Sequence, residues 1–204
     1  MYQNDAQRVL TGECRLSYCN LIQPRAPING QGDPKYSVTL LIPKSDKATK
    51  ADIDSAIEAA ARDAVGKIWN GVRPRFDSVV WDGDGCRKNG MPFGEECRGH
   101  WVLTASTKKK PQVVGIDNIN VELAPQDIYS GMFGRVTLRF YGYSQGGNRG
   151  VGCGLGNVMK TREGEALSGG TSAASDFAGI GNAIVPPVDP VTGRGVNPIT
   201  GLPM

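Results

Sequence analysis

Phe133-Gly-Arg-Val-Thr-Leu-Arg-Phe-Tyr-Gly-Tyr143 separates into two kinds of residue when read with period two. The even positions, from the preceding Met132 onward, are Met132, Gly134, Val136, Leu138, Phe140 and Gly142, an apolar series with two gaps. The odd positions are Phe133, Arg135, Thr137, Arg139, Tyr141 and Tyr143, a series of cations and rings. A β-strand sends alternate side chains to opposite faces, so one face can join a core while the other shows arginines and aromatics to solvent. Rings stack on nucleobases and guanidinium groups pair with phosphates, and together they suit a sequence-tolerant single-strand binder. An edge strand with ordinary exposed residues shows the same alternation, so the rest of the chain has to discriminate.

The composition favours a β protein. The chain has 204 residues, enough to bury a real core as one domain with a tail. Its apolar fraction is 39% and it holds 28 glycines, a balance that suits a loop-rich β fold more than a helical bundle. The net charge of +3 excludes a histone-like polycation, so an anionic partner would have to be met by charge gathered on one face. No apolar run approaches the ~20 residues of a membrane-spanning helix, and the first residues carry no secretory pattern. The five cysteines (Cys14, Cys19, Cys86, Cys97 and Cys153) are odd in number and scattered, which reads as reduced thiols in a cytosol.

Working outward from the central strand, Val9 to Leu21 alternates, with Leu10, Cys14, Leu16 and Tyr18 on one face. A Pro- and Gly-punctuated loop over 23–34 follows. Tyr36 to Ile42 forms a second strand, ended by Pro43. Thr49 is expected to cap a helix, with Asp52 favouring its positive end. Ile53, Ala56, Ile57, Ala60, Ala61, Ala64 and Ile68 repeat at helical spacing, and so many alanines allow close approach to a sheet. Residues 71–99 read as irregular. Trp101 to Thr107 is a third strand running into Lys108-Lys109-Lys110. After residues 132–143 a glycine-rich turn leads to a last strand ending near Met159. On that strand Val151, Cys153 and Leu155 alternate with Gly152, Gly154 and Gly156. A whole face of glycine is costly in a strand and implies that another backbone or a ligand approaches closely. Residues 178–204 read as a Gly/Pro-rich flexible or extended tail beyond a domain of residues 1–177. The expected architecture is mainly β: an OB-fold-like Greek-key barrel with one α-helix between its early and middle strands and a C-terminal tail. Such barrels bind oligonucleotides on the face of their second and third strands.

Several segments together carry a resemblance. They are Tyr36-Ser-Val-Thr-Leu-Leu-Ile-Pro-Lys44 with Ser45-Asp46, Trp81-Asp-Gly-Asp84, Gly99-His-Trp101 and Tyr129-Ser-Gly-Met-Phe-Gly-Arg135. Cys153-Gly-Leu-Gly-Asn-Val158, Arg162-Glu-Gly, Gly169-Gly-Thr and Ser175-Asp-Phe177 follow in order. The set, from about Thr11 to Phe177, resembles a tailed-phage family first catalogued as a domain of unknown function. The studied members of that family are OB-fold single-stranded-DNA-binding proteins. The resemblance implies a non-enzymatic protein that coats single-stranded DNA during phage replication or recombination in the host cytoplasm. Replication or recombination enzymes and further copies of the chain on DNA are the additional partners it suggests. One departure is plain: after Phe177 the only charged residues are Asp189 and Arg194, so a partner-recruiting acidic tip is not carried over.

The candidate contacts follow from chemistry. Arg135, Arg139, Tyr141 and Tyr143 come first, because each stacked base contributes roughly 1–3 kcal/mol. Lys108, Lys109 and Lys110 are a candidate phosphate clamp, set against a solvated turn. Arg73 and Arg75, beside Phe76, could wall a groove, with Lys35 and Lys44 as weaker candidates. Trp69, Trp81 and Trp101 are further stacking candidates: Trp101 shares a face with Leu103 and Ala105, which favours core, and Trp69 is expected to be partly exposed. No cofactor is expected. Structural zinc needs four ligands in two close pairs, which Cys86, Cys97 and His100 do not supply. Cys14 and Cys19 fall on opposite faces unless a bulge intervenes. Asp82 and Asp84 lie in a turn composition without the converging carboxylates of a two-metal nuclease. The alternative to a DNA-coating role is a virion structural or assembly protein.

Overall fold

The computed structural model describes residues 5–27 and 32–167. The tail expected over 178–204, and its boundary with the domain, lie outside the described residues. Among the described residues eight strands form in chain order: β1 (Arg8–Leu10), β2 (Cys14–Arg25), β3 (Lys35–Pro43), β4 (Val80–Asp82), β5 (His100–Thr107), β6 (Val113–Gly115), β7 (Phe133–Gln145) and β8 (Asn148–Arg162). One helix, α1 (Lys47–Lys67), joins β3 to the β4 region. β2 pairs with β3, β3 with β5, β5 with β8, β8 with β7, and β7 returns to β2. That closes a five-stranded Greek-key barrel of the OB type, antiparallel except where Ser106 of β5 meets Gly154 of β8 in parallel. β1 extends β7, β4 extends β5 and β6 extends β8. No helix among the described residues is long and apolar enough to cross a membrane.

The alternation of β7 holds. Met132, Val136, Leu138 and Phe140 are buried, while Arg135, Arg139, Tyr141 and Tyr143 are exposed. The two gaps on its apolar face have separate causes. A side chain at Gly142 would begin 2.1 Å from the Ala64 Cβ, so this gap is where α1 lies on the sheet. One at Gly134 would begin 2.6 Å from the Met159 carbonyl oxygen, where β8 crosses closely. The alanine stripe therefore does what its small volume allows: Ile53, Ala56, Ala60, Ala61 and Ala64 are all buried against the barrel.

Several details differ from the sequence reading. Asp46, not Thr49, caps α1: its carboxylate accepts the Thr49 N–H at 2.9 Å. Thr49 is buried, and its hydroxyl accepts the Gly12 N–H at 2.8 Å. The first strand is broken at residues 11–13, so Val9 is buried and Leu10 is exposed. Its continuation has a register shift between Ser17 and Asn20, where Tyr18 takes a positive φ of 47°. A bulge flips the alternation, so Tyr18 leaves the core face to stand 57% exposed. It also turns Cys14 and Cys19 toward the same core, and burial pushes both thiols up to about 12. The irregular 71–99 segment contains β4 and a short 3-10 turn over Glu95–Cys97. Trp69 is fully buried rather than partly exposed, and its indole N–H donates to the Tyr143 carbonyl at 3.0 Å.

Candidate nucleic-acid interface

The β7–β8 hairpin turns through Gly146 and Gly147, with φ of 57° and 80°. Positive φ at both turn residues matches the twist of the paired strands, which is why glycine stands there. Tyr141 lies opposite Gly152, and Tyr143 opposite Gly150. A side chain at Gly152 would begin 2.9 Å from the Tyr141 Cζ, and one at Gly150 3.0 Å from the Tyr143 hydroxyl. The glycine face of β8 is thus a seat on which the tyrosine rings lie. At Gly150 and Gly152 the close neighbour is neither a backbone nor a ligand but the rings of β7, while Gly154 faces the Arg139 carbonyl oxygen and Gly156 the Thr137 side chain. A ring lying along the sheet keeps its outer π-face open, the geometry a stacking platform needs. Burial against β8 also pushes the Tyr141 phenol up, so the ring is neutral at physiological pH.

Gly152→Val is expected to push the Tyr141 ring off its seat. Because the ring is exposed, the melting temperature should change little. Affinity for oligo-dT should fall by about one stacked base, roughly 1–3 kcal/mol, with the salt dependence unchanged. Wild-type affinity in an anisotropy titration would remove Tyr141 from the interface.

A second surface runs over the outer face of β2, β3 and β5. A cavity of about 450 Å³ has Leu41, Val102 and Cys97 at its base and Tyr18, Trp81 and Phe93 around it. Arg87 and Lys88 line the same cavity. A smaller one of about 300 Å³ lies beside it, with Asn20, Arg25, Lys35 and Ser37 in its lining. On the other side a cleft of about 1020 Å³ is lined by Arg75, Phe76, Lys88, Tyr143 and Arg149. The three share lining residues: Tyr18, Thr39 and Thr104 between the first two, Val79 and Lys88 between the first and third. They make one continuous groove across the second and third barrel strands to the hairpin. Arg75, Arg87 and Arg149 are exposed and have no carboxylate partner among the described residues, and Arg87 lies 5.3 Å from the Phe93 ring centroid. Lys88 pairs with Asp77 at 2.5 Å.

The residues singled out from the sequence divide between these surfaces and elsewhere. Tyr143 and Arg75 line the groove. Tyr141, Arg139 and Arg135 stand on the outer face of β7, with Arg139 opposite Arg8 of β1. That face adjoins the groove, because Gly154 beneath Tyr141 pairs with Ser106 of β5. Arg73 is drawn away: its guanidinium makes a two-pronged pair with Glu58 at 2.5 and 2.8 Å. Lys108 pairs with Asp33 at the edge of the smaller cavity and Lys110 with Glu122 at 3.7 Å, while Lys109 has no carboxylate partner among the described residues. Lys35 lines the smaller cavity. Trp101 has the inward parity of Leu103 and Ala105 and is half-buried, with the Lys44 and Lys50 ammonium groups 5.0 and 4.9 Å from its ring centroid, and it is not in the lining of the groove. Trp81, one of the stacking candidates, also lines the groove, whereas the sequence pattern does not mark out Tyr18, Arg87, Phe93 or Arg149. Tyr18 is hidden by the bulge, Arg87 and Phe93 by a segment with no periodicity, and Arg149 by the glycine-rich hairpin turn.

Asp82 and Asp84 both pair with Lys44. Its ammonium donates to them at 2.5 and 2.6 Å, and Asp84 also accepts the Gly99 N–H at 2.9 Å. No cluster of three or more His, Cys, Asp or Glu side chains able to hold a metal occurs among the described residues. The Lys44 hydrogen bonds keep both carboxyls below the ordinary aspartate value, while the two aspartates raise Lys44 above the ordinary lysine value. The aspartates therefore contribute stability above pH 3.8 that is lost as pH falls through their depressed values. The lysine contributes below pH 10.5 and loses its contribution as pH rises through its raised value. A melting-temperature difference between wild type and the Asp82→Asn, Asp84→Asn double variant is expected across the neutral range, vanishing in strong acid and strong base. A pH-independent difference would mean that the network acts through shape alone.

Residues 7–184 match the family model described as Enterobacter phage Enc34, ssDNA-binding protein. A putative protein p50 of Acyrthosiphon pisum secondary endosymbiont phage 1 is 31% identical over 179 residues, covering 82% of this chain and 90% of that protein. Among solved structures, the single-stranded DNA-binding protein from bacteriophage Enc34 in complex with ssDNA is similar at 25% identity with a TM-score of 0.68, covering 80% of this chain and 90% of that one. The fold alone is shared with gp2.5, a single-stranded DNA binding protein encoded by bacteriophage T7, at 16% identity and a TM-score of 0.53, over 85% of this chain and 93% of that one. With nearly its whole described length inside the match, this chain belongs to the family of the Enterobacter phage Enc34 ssDNA-binding protein.

Proposed function

We propose that the protein coats single-stranded DNA without reading its sequence, during phage replication or recombination in the host cytoplasm. The observation that carries this reading is the continuous groove, whose rings stand beside arginines with no carboxylate partner among the described residues. Apolar and aromatic walls accept splayed bases, and unpaired guanidinium groups accept phosphates. The strand runs from Arg25 and Lys35, over Tyr18 and Phe93, to Arg75, Tyr143 and Arg149. Arg135, Arg139, Tyr141 and Lys109 serve as flanking contacts. Nothing in this mechanism requires bond-making; the protein acts by binding alone. Replication or recombination enzymes and neighbouring copies on the strand are the partners such a coat would meet.

The test is an anisotropy titration of a labelled ~30-nucleotide poly-dT against the matching duplex, at two salt concentrations and without divalent metal. Tighter single-strand binding that weakens with salt supports the reading. No single-strand binding at low salt overturns it in favour of a structural or assembly role in the virion.

A further inference from the structure

Tyr18 is the exposed non-glycine residue of a barrel strand whose φ, at 47°, lies in the left-handed region. A bulky side chain is uncommon there, and the conformation costs strain unless the surroundings hold it. The backbone is held: the Asn20 amide donates to the Tyr18 carbonyl at 3.2 Å, and the next N–H, of Cys19, donates to the Ser130 hydroxyl at 3.0 Å. The ring itself is not covered, with 57% of the residue exposed, so no burial offsets the strain.

Its position supplies a reason. Tyr18, Thr39 and Thr104 line both the 450 Å³ and the 300 Å³ cavities, and they are the residues common to the two. Thr39 and Thr104 are cross-strand partners whose hydroxyls are hydrogen-bonded at 3.0 Å. They form a low bar across the groove, and Tyr18 rises at it from the neighbouring strand, one residue from Ser17, the partner of Thr39. The larger cavity lies over Leu41, Val102 and Phe93, with Arg87, Lys88 and Glu96 also in its lining; the smaller has Asn20, Ser37 and Arg25 in its lining. Each falls in or near the lower range of small-molecule sites, on the order of 300 Å³ and above, so each has room for a nucleobase.

We propose that Tyr18 is a wedge between two nucleobase seats, stacking on the base in the larger cavity and separating it from the next base over Asn20 and Ser37. This rests on the single-strand-binding reading and deepens it. The bulge is what aims the ring: a regular strand would turn residue 18 to the barrel interior, where Leu16 lies.

The experiment compares wild type with Tyr18→Ala, Tyr18→Phe and Tyr18→Gly in full-length protein. The probes are labelled oligo-dT and an abasic oligomer of equal length, each at two salt concentrations. Tyr18→Ala is expected to weaken oligo-dT binding roughly tenfold with the salt slope unchanged, and to leave abasic binding alone. Tyr18→Phe should bind as wild type, since the ring remains. Tyr18→Gly suits the positive φ, so it should melt no lower than wild type yet lose affinity as Tyr18→Ala does, which separates contact from fold damage. If wild type binds oligo-dT and Tyr18→Ala binds it equally well, or loses dT and abasic binding alike, the wedge is overturned while the DNA reading stands. If wild type binds no single strand at all, the DNA reading falls and takes the wedge with it.

Discussion

Trp69→Ala is expected to destabilise the fold by about 3–5 kcal/mol, the range for truncating a fully buried aromatic. Trp69 is completely enclosed just beyond the end of α1, its ring centroid 5.8 Å from that of Phe76. Truncation leaves a cavity between helix and barrel that the alanines around it are too small to refill. It also removes the indole N–H from the Tyr143 carbonyl, a bond worth on the order of 1 kcal/mol. The same bond ties the core to the strand end that carries Tyr143 into the groove, so the stable fraction of the variant should also bind single strands more weakly. Trp69→Phe keeps much of the volume but not the donor, and should cost less. Urea unfolding followed by circular dichroism measures both. A loss under 1 kcal/mol for the alanine variant would show that the site collapses freely and that the helix does not lean on Trp69.

The second large effect is electrostatic. Replacing Arg75, Arg87, Lys88 and Arg149 together by alanine should flatten the log–log salt dependence of single-strand binding by about 3, since each phosphate neutralised contributes roughly 0.7. The loss of affinity should be similar for poly-dT, poly-dC and mixed sequences, because a phosphate contact carries no sequence information. All four are exposed, so the melting temperature should move little. The paired comparison is Arg135→Ala with Arg139→Ala, which should flatten the slope by about 1.4 if the strand also follows the outer face of β7. If the pair changes the slope and the groove set does not, the DNA runs along β7 and the groove assignment is wrong.

These two predictions rest on residues that were not equally legible. The period-two pattern of residues 132–143 depends only on the pleat, so it identified the core and solvent faces of β7 from the sequence. The alanine stripe identified α1 in the same way, and its small side chains foretold the close approach that Gly142 completes. Both signals are local, and local geometry is what a sequence pattern encodes. The glycine face of β8 was legible as an anomaly, but its cause lay in the register that sets Tyr141 against Gly152. Tyr18 was misplaced because a bulge adds one residue and reverses every later parity, and nothing in the composition of residues 14–25 announces it. The spacing around Trp69 suggests partial exposure, yet its burial was decided by distant partners, the Tyr143 carbonyl and Phe76, whereas Trp101 has the core-side parity that its own strand shows.

By itself, then, the sequence determined the class of fold, the strand that carries the arginines and rings, the helix that packs on it, and a family resemblance spread along the chain. Only the tertiary structure decided which cations remain available to phosphates. Arg73 and Arg75 are two residues apart, yet one is neutralised by Glu58 from α1 and the other faces the cleft. Lys108 and Lys110 meet Asp33 and Glu122, while Lys109 between them does not. A charge's neighbours in space are set by barrel closure and helix docking, and ion pairing falls off within a few ångströms, so the usable charge of this surface is a property of the fold rather than of the composition.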